Sequence, residues 1–283
     1  MKKLIQDISD GTISHLDIID EISEYSEEIS VSTYPDPDLI EHDKFVDKEY
    51  YLEDKIDLSE NYSVIFSAWL NECGFLVDGN LYDDLGDNRR ISYKISSINK
   101  RRRTIELCGV LKGGYAEIDE QAIARVRFKG ISKKDYLKLS LFKELAVDAY
   151  LLEQEENRKM AFFTYFSAIE AIVRYKLHSI RPNIFTELYD ALEHLSLDDK
   201  LRIVAKDAFN TNDLKSIAIW GEFQGALREV KKIRNLIAHG KLEKEVTQED
   251  VNKCIACYVT TYCFSIKGCK TFKEIEKYLK EKS

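Results

Sequence analysis

Trp220–Gly240 reads WGEFQGALREVKKIRNLIAHG, and this stretch decides the fold of the second half of the chain. It reads as one long helix. Asp213 stands upstream as a candidate N-cap, and Gly240 follows as a typical helix-ending residue. Near its C-terminus the helix carries Arg234, Asn235 and His239. At about 100° per residue, Asn235 and His239 lie roughly 40° apart on one face, with Arg228 on the same line and Arg234 offset to the side. A histidine at this end meets the negative pole of the helix dipole, where an imidazole is placed to pass a proton near neutral pH. A plainer reading fits the same spacing: Arg234 caps carbonyls or pairs with an acid, and His239 caps the helix.

Working outward, the pattern is helical from about residue 136 to the end. Residues 136–156 and 159–179 form two long amphipathic candidates split by the polar QEENRK. Shorter helices are expected at 183–195 and 198–209, then 248–265 and 271–281 beyond the central stretch. An all-α bundle is the natural packing for such a set.

The first half has a different grammar. ISHLDIIDEISEY, with Ile13, Leu16, Ile19 and Ile22 at three-residue steps, predicts an amphipathic helix. Pro35 and Pro37 then exclude a helix and mark a connection. YSVIFSAWL at 62–70, ISYKISSI, RTIELCGVL and AIARVRFKG at 122–130 read as strands rich in β-branched residues. NKRR at Asn99–Arg102 joins two of them as a hairpin, and Gly113–Gly114 marks a turn. The expectation is an α+β chain. Residues 1–135 would form a mixed module with a small antiparallel sheet capped by the N-terminal helix, and residues 136–283 a helical domain.

The chain has 283 residues, 44% of them apolar, and a net charge of −8. Such a balance does not advertise a nucleic-acid binder. Its acidity is local, however: residues 1–60 hold 18 acidic and 5 basic residues, whereas 61–135 come to +3 and 136–283 to +2. The acidic arm can cover a basic groove or stand as a solvated face. Arg101, Arg102 and Arg103, with Lys100, Arg89 and Arg90, can hold a phosphate backbone or simply tip a hairpin. MKKLIQDISDG lacks the apolar core of an export signal, and no apolar run reaches the roughly 20 residues of a membrane helix. A cytoplasmic protein with reduced thiols is expected. Cys254 and Cys257 form a CxxC, but KCIACYVTTYCFSI has a helical pattern and no second pair, so buried helical cysteines are expected and not zinc.

Arg234-Asn235-Leu236-Ile237-Ala238-His239 resembles the Arg-Asn-x-x-x-His signature of the HEPN superfamily. Phe162–Leu177, FFTYFSAIEAIVRYKL, resembles the HEPN helix that carries a glutamate, here Glu170, within an apolar run. Glu170 has Arg174 four residues on as an ordinary surface partner. If it turns toward the core it needs a cation, for which Arg234 is the candidate.

The resemblance implies a homodimeric helical domain acting as a metal-independent endoribonuclease without cofactor. The ribose 2′-hydroxyl would attack the adjacent phosphodiester, with His239 as general acid or base, Arg234 stabilising the phosphoryl charge and Asn235 orienting one of them. Glu170 would complete the catalytic set, and Arg228, Lys231 and Lys232, with Arg101–Arg103, would bind RNA. Family members of this kind are often prokaryotic toxins or anti-phage effectors held dormant by a partner or signal. The alternative is an inactive HEPN scaffold for dimerisation or RNA binding.

Overall fold

A computed structural model describes residues 1–31, 49–77, 80–82, 90–112, 121–180, 191–241 and 245–282. By its contacts the chain divides into two units, Met1–Asp20 with Leu139–Ser283, and Glu21–Lys138. The Pro35–Pro37 connection, the Gly113–Gly114 turn, Arg89 and most of the helix expected over 183–195 lie outside the described residues.

The unit Glu21–Lys138 contains strands β1 (Ser23–Val31), β2 (Glu49–Asp57), β3 (Tyr62–Val77), β4 (Asn80–Tyr82), β5 (Arg90–Asn99), β6 (Thr104–Lys112) and β7 (Gln121–Ser132). They make two antiparallel sheets, ordered β1-β7-β3-β4 and β2-β6-β5. Two-residue alternation explains the pairing of faces. On β7, Ala124, Val126 and Phe128 are buried while Arg127 and Lys129 point outward. Ile65, Phe75, Ala124, Val126 and Phe128 share one apolar cluster with Ile56, Ile91, Tyr93, Ile105 and Leu107 of the other sheet. The β5–β6 hairpin turns where expected, through Lys100–Arg103, with Arg103 at φ 57° and Asn99 Oδ1 accepting from the Arg102 amide at 2.8 Å. A short helix, α2 (Lys133–Tyr136), follows β7.

The helix expected over ISHLDIIDEISEY is not formed. Its first part is a single 3₁₀ turn, His15–Ile18, closed by a reciprocal capping box between Ser14 and Asp17. Its end belongs to β1, where Glu24 and Glu28 meet Arg127 and Arg125 of β7 at 3.4 and 2.7 Å. The three-residue steps thus lost to a two-residue alternation, with Tyr25 and Ile29 turned toward the apolar cluster and Glu24, Ser26 and Glu28 exposed. Part of the acidic arm is therefore a cross-strand charge ladder.

The helical unit contains α1 (Lys2–Ser9), α3 (Leu141–Gln154), α4 (Arg158–Ile180), α5 (Leu197–Phe209), α6 (Ala218–Ala238), α7 (Gln248–Ile266) and α8 (Phe272–Lys280). Helix α7 is its centre: every residue from Cys254 to Ser265 is buried, and it packs against α1, α4, α5 and α6. A helix apolar on all sides is one enclosed by others. Cys254, Cys257 and Cys263 lie buried on it as free thiols, as read from their helical pattern.

Residues 1–20 correct the expected organisation. Helix α1 packs on α7, and Met1–Asp20 groups with Leu139–Ser283 and not with the strands, whereas a division at 135/136 places these residues with them. His15 is buried in the helical unit, with its Nε2 2.7 Å from the hydroxyl of Tyr165, which in turn donates to Glu153 at 3.2 Å. Asp20 pairs with Lys143 at 3.5 Å and Lys282 at 2.6 Å. Among the described residues no helix is long and apolar enough to cross a membrane.

Candidate functional site

Helix α6 presents two working faces. Phe223, Leu227 and Val230 form its buried stripe, and Arg234 continues that stripe one turn further on. An inward arginine needs an acid, and α4 supplies it: Nη2 of Arg234 lies 3.2 Å from Oε1 of Glu170. The guanidinium carbon also sits 5.3 Å from the ring centre of Phe166 and 5.8 Å from that of Phe163, a cation–π placement that adds to the ion pair. Glu170 therefore takes Arg234 as its partner, and Arg174, one turn along the same helix, makes no ion pair among the described residues. Phe166, Ile169 and Val173 beside Glu170 are buried, as expected of a core-facing stretch. Arg234 Nε is buried without a hydrogen-bond partner among the described residues.

Asn235 links this pair to the second face. Its Oδ1 accepts from Arg234 Nη1 at 3.4 Å, while the residue itself is exposed. Asn235 lines an open groove of about 470 Å³ between α5 and α6, together with Arg228, Lys232 and His239. The helical-wheel expectation that Arg228, Asn235 and His239 share a line is met, and Arg234 lies to the side of it.

The position of His239 follows from local chemistry. α6 stops in a Schellman turn: the Gly240 amide donates to the Ile237 carbonyl at 3.1 Å and the Lys241 amide to Leu236 at 2.8 Å. Gly240 adopts φ 64°, a conformation that side-chain-bearing residues rarely take. His239 is the residue just before that turn, and its amide donates to the Asn235 carbonyl at 3.1 Å. Its imidazole is exposed to the groove, with no side-chain partner among the described residues.

Lys231 is tied to Asp198 of α5 at 2.7 Å across the groove wall. Arg101, Arg102 and Arg103 occupy the β5–β6 turn and so belong to the sheet unit, not to the helical one. Asp213 caps the 3₁₀ turn Leu214–Ser216 and not α6, which begins at Ala218 after Ile217 without a side-chain cap. Arg202, Gln224 and Lys241 also line the groove. The sequence held a signal for one of these, since Lys241 directly follows the helix-ending glycine. Arg202 of α5 carried none, because a lone arginine on a short amphipathic helix reads as solvated surface.

Among the described residues no group of three or more His, Cys, Asp or Glu side chains is arranged to hold a metal ion. No family model, no curated protein and no solved structure matches the chain.

Proposed function

We propose that the helical unit is a HEPN-type endoribonuclease that cuts RNA without a metal ion and works as a homodimer, in a toxin or anti-phage effector. The observation that carries the reading is the ending of α6, where the Arg234 and Asn235 side chains and the His239 backbone each have a local constraint. Glu170 and two phenylalanine rings hold the arginine, the arginine contacts the asparagine, and the Gly240 turn sets the histidine at the mouth of a cation-lined groove. The Arg234 side chain is fixed by its partners and the His239 backbone by its turn, so two of the three groups start from set positions, which catalytic geometry favours.

In this reading the 2′-hydroxyl oxygen attacks the adjacent phosphorus and the bond to the 5′-oxygen breaks, leaving a 2′,3′-cyclic phosphate and a 5′-hydroxyl. His239 gives a proton to the departing oxygen, or takes one from the attacking hydroxyl. Arg234 keeps Nη1 for the phosphoryl oxygens or for Asn235, while Nη2 stays on Glu170. Glu170 is a positioning residue in this arrangement.

The test is incubation of the intact protein with total RNA and tRNA in EDTA, beside His239→Ala, Arg234→Ala and Arg234→Lys. Cyclic-phosphate ends from the wild type alone, with His239→Ala still folded, are the expected result. Equal cleavage by the wild type and His239→Ala removes the mechanism. The inactive-scaffold reading has its own support in the engagement of Arg234 as a strut between α6 and α4. It predicts RNA binding without any cut product.

A further inference from the structure

We infer that Cys263 and Cys269 are a redox-sensitive pair, which hydrogen peroxide converts to a reversible disulfide that staples helix α8 to the end of α7. None of the residues at the end of α6 takes part, so the pair is independent of the ribonuclease reading.

The backbone sets the two cysteines side by side. α7 ends at Ile266, and Gly268, at φ 72°, reverses the chain directly behind it. The Cys263 carbonyl then accepts two amides, that of Lys267 at 3.2 Å and that of Cys269 at 3.0 Å. An amide bonded to a carbonyl brings the two α-carbons within roughly 4.4–6.8 Å, the separation that a disulfide spans. The side chains follow, and the Cys263 thiol donates a hydrogen bond to the Cys269 sulfur. Closing the pair needs no rearrangement of the turn.

Chemistry gives the two sulfurs different roles. Cys263 is wholly buried on α7, whereas Cys269 keeps 8% of its surface in solvent. The hydrogen bond from Cys263, with the Lys267 ammonium nearby, holds the Cys269 thiol below its ordinary value. The same bond, together with burial, holds Cys263 well above it. The thiolate is the nucleophile, so Cys269 meets the peroxide and Cys263 resolves. The Cys269 sulfur takes one peroxide oxygen as the O–O bond breaks, and the departing hydroxide leaves as water with the thiol proton. The Cys263 sulfur then attacks that sulfenic sulfur, the S–O bond breaks, and a second water leaves with the Cys263 proton. Two thiols lose two electrons and one peroxide becomes two waters. A dithiol reductant reverses the step by exchange.

The CxxC does not compete for this role. Cys254 and Cys257 are wholly buried, Cys254 donates to the Phe162 carbonyl at 3.6 Å, and burial holds both thiols up. Cys73 and Cys108 stand on strands of different sheets.

What the staple holds is α8. Only Lys267–Thr271 connects it to α7, and Ile275 and Leu279 are its buried residues. Glu276 on α8 pairs with Lys3 of α1, and Lys282 just beyond the helix pairs with Asp20 at 2.6 Å. Residues 1–20 are thus clasped near both ends by α8 and its tail. A disulfide at the root of α8 tightens that clasp.

The experiment treats the intact protein with hydrogen peroxide, blocks the remaining thiols with N-ethylmaleimide in denaturant, and maps tryptic peptides by mass spectrometry. Trypsin cuts after Lys253, Lys267 and Lys270, so the bond joins peptide 254–267 to peptide 268–270. That joined species, lost on adding dithiothreitol, is the expected product. Cys263→Ala is expected to trap a dimedone-reactive sulfenic acid on Cys269, and Cys269→Ser to leave Cys263 unlabelled. In the oxidised wild type, amides of α1 and α8 are expected to exchange hydrogen about tenfold more slowly than in the reduced protein.

Absence of the joined peptide under excess peroxide overturns the pair, and so does a bond between Cys254 and Cys257 in its place. The wild type alone decides this, whether or not the variants fold. A joined peptide with unchanged exchange in α1 and α8 overturns the clasp.

Discussion

Acidification gives the sharpest test of how residues 1–20 are held. His15 is buried, its ring 5.2 Å edge-on from Tyr165 and 6.0 Å from Tyr150. Glu153, as a carboxylate, can only accept, so Tyr165 donates to it and accepts from Nε2–H of a neutral His15. Burial pushes the imidazole from its ordinary 6.5 down to about 4. The folded chain therefore refuses a proton that the unfolded chain takes up. This contribution to stability is whole above pH 6.5 and is lost as the pH falls from 6.5 toward 4. At about 1.4 kcal/mol for each tenfold change, its ceiling is roughly 3 kcal/mol, of which about 2 is gone by about pH 5. Most carboxylates titrate lower, so the interval between about pH 5 and 6.5 isolates the histidine. His15→Gln keeps a donor for Tyr165 and cannot titrate. Urea unfolding, followed by helical circular dichroism, is expected to show wild type losing stability across that interval while the variant stays nearly level. Parallel curves for the two proteins would refute the burial argument.

Two other outcomes follow from local structure. Gly240→Ala puts a side chain at φ 64° and is expected to cost about 1 kcal/mol, read as a lower thermal midpoint, with any RNA cleavage falling further than stability because His239 shifts with the turn. Alkylation of the native protein is expected to label Cys73 and Cys108, which are partly exposed, well before Cys254 and Cys257. Burial holds the Cys257 thiol up at about 12 and Cys254 well above its ordinary value. Mass spectrometry of peptides over time reads the order, and early labelling of Cys254 would contradict the placement of α7.

The sequence by itself determined what one or two turns of chain can encode. The run through Arg228 and Asn235 to His239 was legible as one helical line, and Gly240 as its end, because helical period and the Schellman turn are local. The β5–β6 hairpin was legible for the same reason, through a polar turn between two β-branched runs. Glu170 could be matched to Arg234 across 64 residues because a charge set in an apolar run demands an opposite charge, and few candidates existed.

Tertiary structure decided the rest. ISHLDIIDEISEY has a helical period on paper, yet Tyr25 and Ile29 turn toward the sheet core and Glu24 and Glu28 pair with arginines about a hundred residues away, which a local pattern cannot announce. Docking of residues 1–20 on α7 depends on His15 meeting Tyr165, 150 residues along the chain. The groove exists only because α5 brings Asp198 and Arg202 beside α6. Which cations find an acidic partner depends on placement in space, so among the described residues Lys231 pairs with Asp198 while Lys232, adjacent in sequence, does not.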